Sequence, residues 1–238
     1  MSDTHVIVGP KEPIVWEQFE TIEQQEEANV LGIWLFLAQE LMFFGGLFCA
    51  YGVYRIKFPT EFLVGSMQLS VMWGGINTTI LLASSVTMAL AVYTQKSNLK
   101  WQLLMMIATF ILGIAFLVIK WTIEWPEKYG HGLIPGDMFW NPDMGHVMHL
   151  VHERFPDLAA SAVNVAQLEM FFVLYFIMTS MHALHMVIGF GILTWLLIMS
   201  ALKTYGENRY LPIEFFGFYW HLVDIIWVFL FPLFYLIR

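Results

Sequence analysis

Five long apolar stretches organise this sequence of 238 residues. They cover about residues 30–54, 67–93, 101–123, 167–200 and 217–237. Apolar stretches of about 18 or more residues with few charges are typical of membrane-spanning helices. The alternation of polar and apolar positions that marks membrane barrels does not occur in them. The pattern therefore predicts an all-α bundle of five transmembrane helices.

Composition supports the membrane class. Hydrophobic residues make up 58% of the chain and charged residues only 13%, whereas a soluble domain carries about 25% charged residues. The net charge of −8 and the lack of a basic cluster exclude a nucleic-acid-binding surface. Cys49 is the single cysteine of the chain, so no intrachain disulfide can form.

The first 28 residues differ from the membrane domain, 29–238, because they carry seven acids and one lysine. They lack the basic, apolar and small-residue order of a cleaved signal peptide. Val15, Trp16, Phe19 and Ile22 have helical spacing. This spacing predicts a short amphipathic helix along the membrane interface. Both a docking element for a partner and a simple interfacial anchor fit this pattern.

Basic residues predict the orientation in the membrane, because short connections that carry them tend to stay cytoplasmic. The basic residues of connections 94–100 and 201–213 are Lys96, Lys100, Lys203 and Arg209. Those on the opposite side, which weaken the bias, are Arg55, Lys57, Lys128 and Arg154. We therefore expect a cytoplasmic amino terminus. The carboxyl terminus and the long connection of about 124–166, with a short helix over 144–154, then lie outside.

Glu40 lies near the middle of the first apolar stretch. A charge at that depth costs about 3 kcal/mol or more, so an intramembrane carboxyl is a functional candidate. The cost falls if the carboxyl binds a proton or finds a polar partner on another helix. The polar candidates in other apolar stretches are Asn77, His182, His185, His221 and Asp224. We expect Glu40 to be largely protonated and hydrogen-bonded within the bundle, with a histidine of the fourth span as the candidate partner.

His182 and His185 are three residues apart in the fourth span, so both imidazoles can point into the bundle. They fit metal ligands, haem ligands, partners of carboxyl groups, or simple polar bridges between helices. A di-iron bundle is not indicated, because no Glu-x-x-His pair occurs. His146, His149 and His152 of the long connection are weak candidates for metal ligands.

The last span carries His221 and Asp224 on one helix face. We expect them to form an ion pair near the cytoplasmic surface that stabilises this helix. Such a pair can also exchange protons with water. Glu40, His221 and Asp224 are therefore our candidates for proton-related groups. The candidates for polar partners within the bundle are Asn77, Glu124, His182, His185, Glu214 and Trp220.

In this order, the segments resemble subunit III of the haem–copper oxidases, the cytochrome c oxidase subunit III family. The resemblance runs from about residue 30 to the end of the chain. The segments that carry it are ELMFFGGLFCAY at 40–51, NT at 77–78 with LLASS at 81–85, EW at 124–125, HALHMVIG at 182–189 and YWHLVDIIW at 219–227. Each fragment is moderately specific, and five in the correct order and spans make a strong signal.

The resemblance implies a non-catalytic subunit of a proton-pumping terminal oxidase that reduces oxygen to water. Such a subunit packs on subunit I, which holds the haems and copper, and carries no redox centre or metal itself. It binds phospholipid and supports proton uptake and the working lifetime of the catalytic subunit. Glu40 matches the family's buried carboxyl. A five-span member places its amino terminus in the cytoplasm, here of a bacterial inner membrane.

Two departures from the family affect these expectations. Fuller members have seven spans, and this chain lacks the first two, which form one wall of the lipid cleft. We therefore expect lipids at a seam with a neighbouring subunit. Residues 137–165 resemble an insertion that we expect to dock a partner, which is subunit II, a further subunit or the carrier of the electron donor.

Two other functions remain open at this point, and the electron donor is either cytochrome c or quinol. One is a quinol oxidase or nitric-oxide-reductase accessory subunit of the same superfamily. The other is a stand-alone membrane metalloenzyme built on Glu40, Glu124, His182 and His185.

Overall fold

The computed structural model describes residues 15, 17–95, 97–136, 147, 149, 151–153, 155–156, 163–202 and 211–236. The regular structure within these ranges is helical, and they contain no strand. Five of their helices are long and apolar enough to cross a membrane. The predicted all-α class and the predicted number of spans are therefore confirmed.

The helices follow one another as an antiparallel bundle. The first three are α1 (Ile22–Lys57), the short α2 (Pro59–Met67) and α3 (Val71–Thr94). The fourth, α4, is Leu99–Ile119, continued by a π-helical turn, Lys120–Glu124, and by Trp125–Gly130. The last two are α5 (Val165–Ala201) and α6 (Leu211–Phe231), whose π-helical end is Pro232–Leu236. The spine of the bundle is formed by α3 and α4, and α6 packs on α3 and α5.

The first span begins earlier than the apolar pattern predicts. Thr21 is extended and caps α1, because its hydroxyl accepts a hydrogen bond from the Gln24 amide at 3.2 Å. Val15 and residues 17–21 are not helical, so the described positions before Ile22 do not form the interfacial helix predicted over this segment. Trp16 lies outside the described residues. The acidic stretch after Ile22 instead extends α1 beyond the apolar core.

The connection between the first two spans contains α2, which the sequence analysis did not predict. Pro59 at the start of α2 fits a helix amino terminus, where its missing N–H costs nothing. Phe62 is buried and packs edge-on against Phe171 of α5, with ring centroids 5.4 Å apart. This contact fixes α2 to the end of the bundle where α5 begins.

The long connection is attached to the same end of the bundle. Lys128 donates a hydrogen bond to the carbonyl of Gln68, and the Gln68 amide donates to the carbonyl of Val147 at 3.3 Å. Val147 and Val151 are buried. Residues 147, 149, 151 and 152 are helical, in agreement with the helix predicted over 144–154. Glu153 forms a turn, and the remaining positions of that helix, with most of the predicted insertion 137–165, lie outside the described residues.

Trp220 of α6 is the central packing element of the bundle. Its indole is fully buried and donates a hydrogen bond to the Ser84 hydroxyl of α3 at 2.9 Å. Gly113 of α4 and Gly189 of α5 leave the space that the ring occupies. A Cβ at Gly189 would lie 2.8 Å from Trp220 Cζ3, and one at Gly113 would lie 3.1 Å from Cζ2. One side chain thus sets how closely four helices approach.

We expect Gly189→Ala to lower the thermal stability of the purified protein, because the added methyl group overlaps a buried ring that cannot move aside. Overpacking of this kind costs about 1–3 kcal/mol. Gly191→Ala on the same helix is the control, since a Cβ there meets no atom within 4 Å. Thermal unfolding in detergent, followed by tryptophan fluorescence, measures both variants. Equal midpoints would show that Trp220 is not packed against α5 as described.

Candidate functional site

Glu40 of α1 meets His185 of α5 in the middle of the bundle. The Oε2 atom of Glu40 and the Nε2 atom of His185 are 3.0 Å apart, and each side chain is 12% exposed. Glu40 lies 18 residues from the start and 17 from the end of a 36-residue helix, so it is about 26 Å from either end. The structure therefore gives the intramembrane carboxyl the type of partner that the sequence analysis favoured.

The second ring nitrogen of His185 determines how this pair holds its proton. Its Nδ1 atom lies 2.7 Å from the Met181 carbonyl oxygen, which can only accept, so Nδ1 carries a hydrogen. One further proton then lies between Nε2 and Glu40 Oε2, either on the carboxyl or on the imidazole. In both cases the pair is neutral overall, which suits its place in a low-dielectric interior.

An apolar cavity of about 400 Å³ adjoins the pair, between α1, α5 and α6. Its lining includes Phe36, Ile188, Trp195 and Phe216. Tyr219 also borders the cavity, and its hydroxyl donates to the His185 carbonyl at 2.8 Å, which fixes α6 beside the pair. The Glu40–His185 contact is thus a polar group at the wall of an otherwise apolar space that suits hydrocarbon chains.

A second polar cluster lies where α4 passes through its π-helical turn. Lys120 and Glu124, 1% and 3% exposed, form an ion pair of 2.6 Å. Lys120 Nζ also donates to the hydroxyls of Tyr175 at 3.1 Å and Tyr235 at 2.8 Å. Asn77 of α3 donates to Glu124 Oε1 at 3.0 Å, and the Tyr235 hydroxyl donates to Glu124 Oε2. The cluster joins α3, α4, α5 and α6.

Sequence reasoning named Asn77 and Glu124 but missed Lys120, Tyr175 and Tyr235. A signal for Lys120 was present, since a lysine four residues before a glutamate places both on one helix face. Lys120 Nζ also lies 4.7 Å from the ring centroid of Trp227, so the cation is enclosed by aromatic rings. Nothing in the spacing of the two tyrosines indicates that their hydroxyls meet.

The last span departs from prediction at His221 and Asp224, which do not form an ion pair. His221 Nδ1 instead lies 2.7 Å from the Ser85 hydroxyl of α3. Asp224 is 2% exposed, and neither carboxyl oxygen has a hydrogen bond within the described residues. Because α6 begins at Leu211, His221 is about 15 Å inside the helix rather than near the surface. Glu214, nearer the helix start, accepts a hydrogen bond from Gln95 at 2.9 Å.

His182 and His185 both lie within the bundle, but they face different neighbours. His182 is buried between the rings of Phe116 and Trp227, at centroid distances of 5.5 and 5.1 Å. Residues three apart on a helix differ by about 60° in direction, which is enough to separate the two rings. Among the described residues, no group of three or more His, Cys, Asp or Glu is placed to hold a metal.

The metalloenzyme alternative required Glu40, Glu124, His182 and His185 to meet. Glu40 pairs with His185, Glu124 belongs to the lysine–tyrosine cluster, and His182 packs between aromatic rings. The four side chains therefore do not form one site. His149 and His152 of the long connection are exposed, and His146 lies outside the described residues.

Comparison with known proteins identifies relatives of the whole chain. Residues 147–237 match the family model of cytochrome c oxidase subunit III. A probable quinol oxidase subunit 3 of Staphylococcus saprophyticus is 28% identical, over 91% of this chain and 94% of that protein. A probable cytochrome c oxidase subunit 3 of Nocardia farcinica is 25% identical, over 97% of this chain and 98% of that protein.

A further relative combines two subunits in one chain. The heme-copper oxidase subunit I+III of Aeropyrum pernix is 28% identical over 86% of this chain, which spans 22% of that longer protein. The five apolar helices and the family match over the last two spans agree with the resemblance seen in the sequence. The chain is a multi-pass membrane protein that is similar to subunit III of the haem–copper oxidases.

Proposed function

We propose that this chain is the non-catalytic subunit III of a proton-pumping terminal oxidase of the cytochrome c oxidase type, in a bacterial inner membrane. In this proposal the haems and copper of partner subunits carry the redox chemistry, and this chain holds no redox centre. Its amino terminus is cytoplasmic and its carboxyl terminus is periplasmic. Short basic connections at 94–100 and 201–213 support this orientation.

The observation that carries the proposal is the neutral Glu40–His185 pair. It joins α1 to α5 at mid-membrane depth, in a chain whose last two spans match the subunit III family. The fused subunit I+III relative supports direct packing on subunit I. The attachment of the long connection to Gln68, through Lys128 and Val147, supports a defined surface at that end for subunit II or a further subunit.

Two supporting roles follow from the same geometry. The cavity beside Glu40 is lined almost entirely by apolar side chains, which suits the acyl chain of a phospholipid. The pair itself holds one shareable proton, and His221 and Asp224 are further proton-binding groups within α6. We propose that the subunit uses these features to retain lipid and to support proton uptake and the working lifetime of subunit I.

A quinol oxidase is the second candidate, because a relative named for that donor aligns along nearly its whole length, as does one named for cytochrome c. The Staphylococcus relative is named a probable quinol oxidase subunit 3 and aligns along 94% of its own length. The Nocardia relative is named a probable cytochrome c oxidase subunit 3 and aligns along 98% of its own length. An accessory subunit of a nitric oxide reductase is the third candidate. The type of haem in the partner subunit distinguishes it from an oxidase subunit.

We expect this chain, tagged and extracted in mild detergent, to copurify with haem a and a large histidine-rich subunit. A reduced-minus-oxidised spectrum and subunit identification by mass spectrometry measure this directly. Turnover of the purified complex with reduced cytochrome c and with quinol then distinguishes the two donors. A lone chain that carries near-stoichiometric iron or zinc would overturn the proposal.

We expect Glu40→Gln to leave assembly and initial turnover near wild type. The glutamine amide can donate to Nε2 of a neutral His185, so the contact between α1 and α5 remains. The variant lacks the shareable proton, and we therefore expect its activity to decline faster during sustained turnover. Loss of the assembled complex in Glu40→Gln would show that an ionised Glu40 is structural.

The comparison variant is His185→Leu, which leaves the Glu40 carboxyl without its partner. An unpaired buried polar group costs about 1–3 kcal/mol. We expect a lower yield of assembled complex than in Glu40→Gln, measured as the ratio of this chain to haem after purification. Equal yields for the two variants would contradict a structural role for the hydrogen bond.

We expect Lys120→Met to destabilise the subunit strongly, because it leaves the Glu124 carboxylate without its buried cation. Breaking a buried ion pair costs about 3–5 kcal/mol. The double variant Lys120→Met/Glu124→Leu removes both charges and should recover much of the loss. Thermal unfolding of the purified protein measures both. A double variant as unstable as the single one would show that the tyrosine and asparagine hydrogen bonds dominate instead.

A further inference from the structure

We infer that the side of α1 that faces away from the bundle docks a transmembrane helix of the catalytic subunit, and that this helix presents a hydrogen-bonding side chain to Gln39. The inference rests on the proposed function and names the surface through which the two subunits meet. The positions of this outer seam are Gly32, Leu35, Gln39, Met42, Gly46, Cys49, Val53 and Ile56.

The outer seam follows one face of α1 at alternating spacings of three and four residues. All eight positions are exposed. The opposite face carries Glu40, Phe44 and Tyr51, which contact His185, Phe62 and Phe234. Only 6% of the apolar window of α1 is buried, against 28–50% in the other four spans. Of the membrane helices, α1 therefore has the least support from its own chain.

Gln39 is a primary amide at the middle of this exposed face. It follows Glu27 by 12 residues and precedes Arg55 by 16, so the nearest of these charged positions is about 18 Å away along the helix. A glutamine side chain is too short to reach the membrane surface from that depth. Glu40 is not available to it, because adjacent residues on a helix point about 100° apart.

The amide has no hydrogen-bond partner among the described residues. Lipid tails offer neither donor nor acceptor, so an amide exposed to them pays a large desolvation cost. Two threonines at lipid-facing positions behave differently: Thr79 and Thr194 donate to backbone carbonyls of their own helices. Glutamine at mid-depth is instead typical of contacts between membrane helices.

The catalytic subunit is the occupant that fits best. It must lie beside this chain if the two are to form one complex, and the Aeropyrum relative carries both subunits on a single chain. The surface needs a helix that crosses the full membrane, since the seam extends over 25 residues and about 36 Å. Gly46, seven residues from Gln39, adds a position where a neighbouring backbone can approach closely.

Photocrosslinking in the native membrane tests the surface. We would introduce p-benzoylphenylalanine at Met42, 74% exposed on the seam, and at Ile111, 60% exposed on α4, as the matched control. The full chain is expressed with its complex and purified through its tag after irradiation. We expect Met42 to yield a product with the haem-bearing subunit and Ile111 to yield none with it. A Met42 product with lipid only, or with a second copy of this chain, would overturn the inference.

Substitution of the amide gives an independent measurement. We expect Gln39→Leu to lower the amount of haem retained per tagged chain during washes of increasing detergent, by several-fold against wild type. Thr79→Val removes an exposed polar group that is bonded within its own helix, and its haem retention should stay at the wild-type value. Unchanged retention in Gln39→Leu would contradict the role of the amide.

The two proposals fail in distinguishable ways. If no haem-bearing subunit copurifies with the wild-type chain, the proposed function itself is wrong. If that subunit copurifies but crosslinks from Ile111 and not from Met42, the function stands and the docking surface lies elsewhere.

Discussion

The hydrocarbon interior provides no hydrogen-bond partner, so a polar side chain placed there is costly unless it is paired within the protein or at its interfaces. The Glu40–His185 contact meets this constraint for the most costly group of the first span. It does so without a net charge, because the Met181 carbonyl holds a hydrogen on Nδ1 and leaves one proton between the two side chains. The pair joins α1 to α5 at a depth where no water is available as a hydrogen-bond partner.

The same constraint divides the bundle into two polar levels with different character. Near one end, Lys120, Glu124 and two tyrosine hydroxyls satisfy each other and join four helices. Deeper inside, the bonds are single and dispersed: Trp220 to Ser84, His221 beside Ser85, and Glu40 to His185. The first level acts as a fixed clamp. At the second level each bond joins only two neighbouring helices. Loss of one such bond therefore need not disrupt the contacts between the other helices.

Much of this architecture could be predicted from the sequence, because membrane spans depend on apolar length alone. The five spans and the pairing of Glu40 with a fourth-span histidine follow from that pattern and from intramembrane polarity. Lys120 was missed because a lysine near a span end usually extends to the surface, and only the surrounding rings show that this one is buried. The contact of His221 with Ser85 of α3 in place of Asp224 could not be predicted, since it depends on how α3 packs on α6. The depth of His221 was missed because α6 begins six residues earlier than its apolar run.

The weak support of α1 connects the intramembrane carboxyl to assembly. α1 is attached to the bundle by the Glu40–His185 bond, the Tyr51 hydroxyl on the Leu233 carbonyl at 2.6 Å, and a few aromatic contacts. A helix with so few ties keeps a defined orientation only if a polar bond fixes its rotation. Adjacent residues on a helix point in different directions. When Glu40 faces the bundle, Gln39 therefore faces away from it. The internal pair would therefore control the presentation of the outer seam, and its loss would act on subunit contact before it acts on the fold.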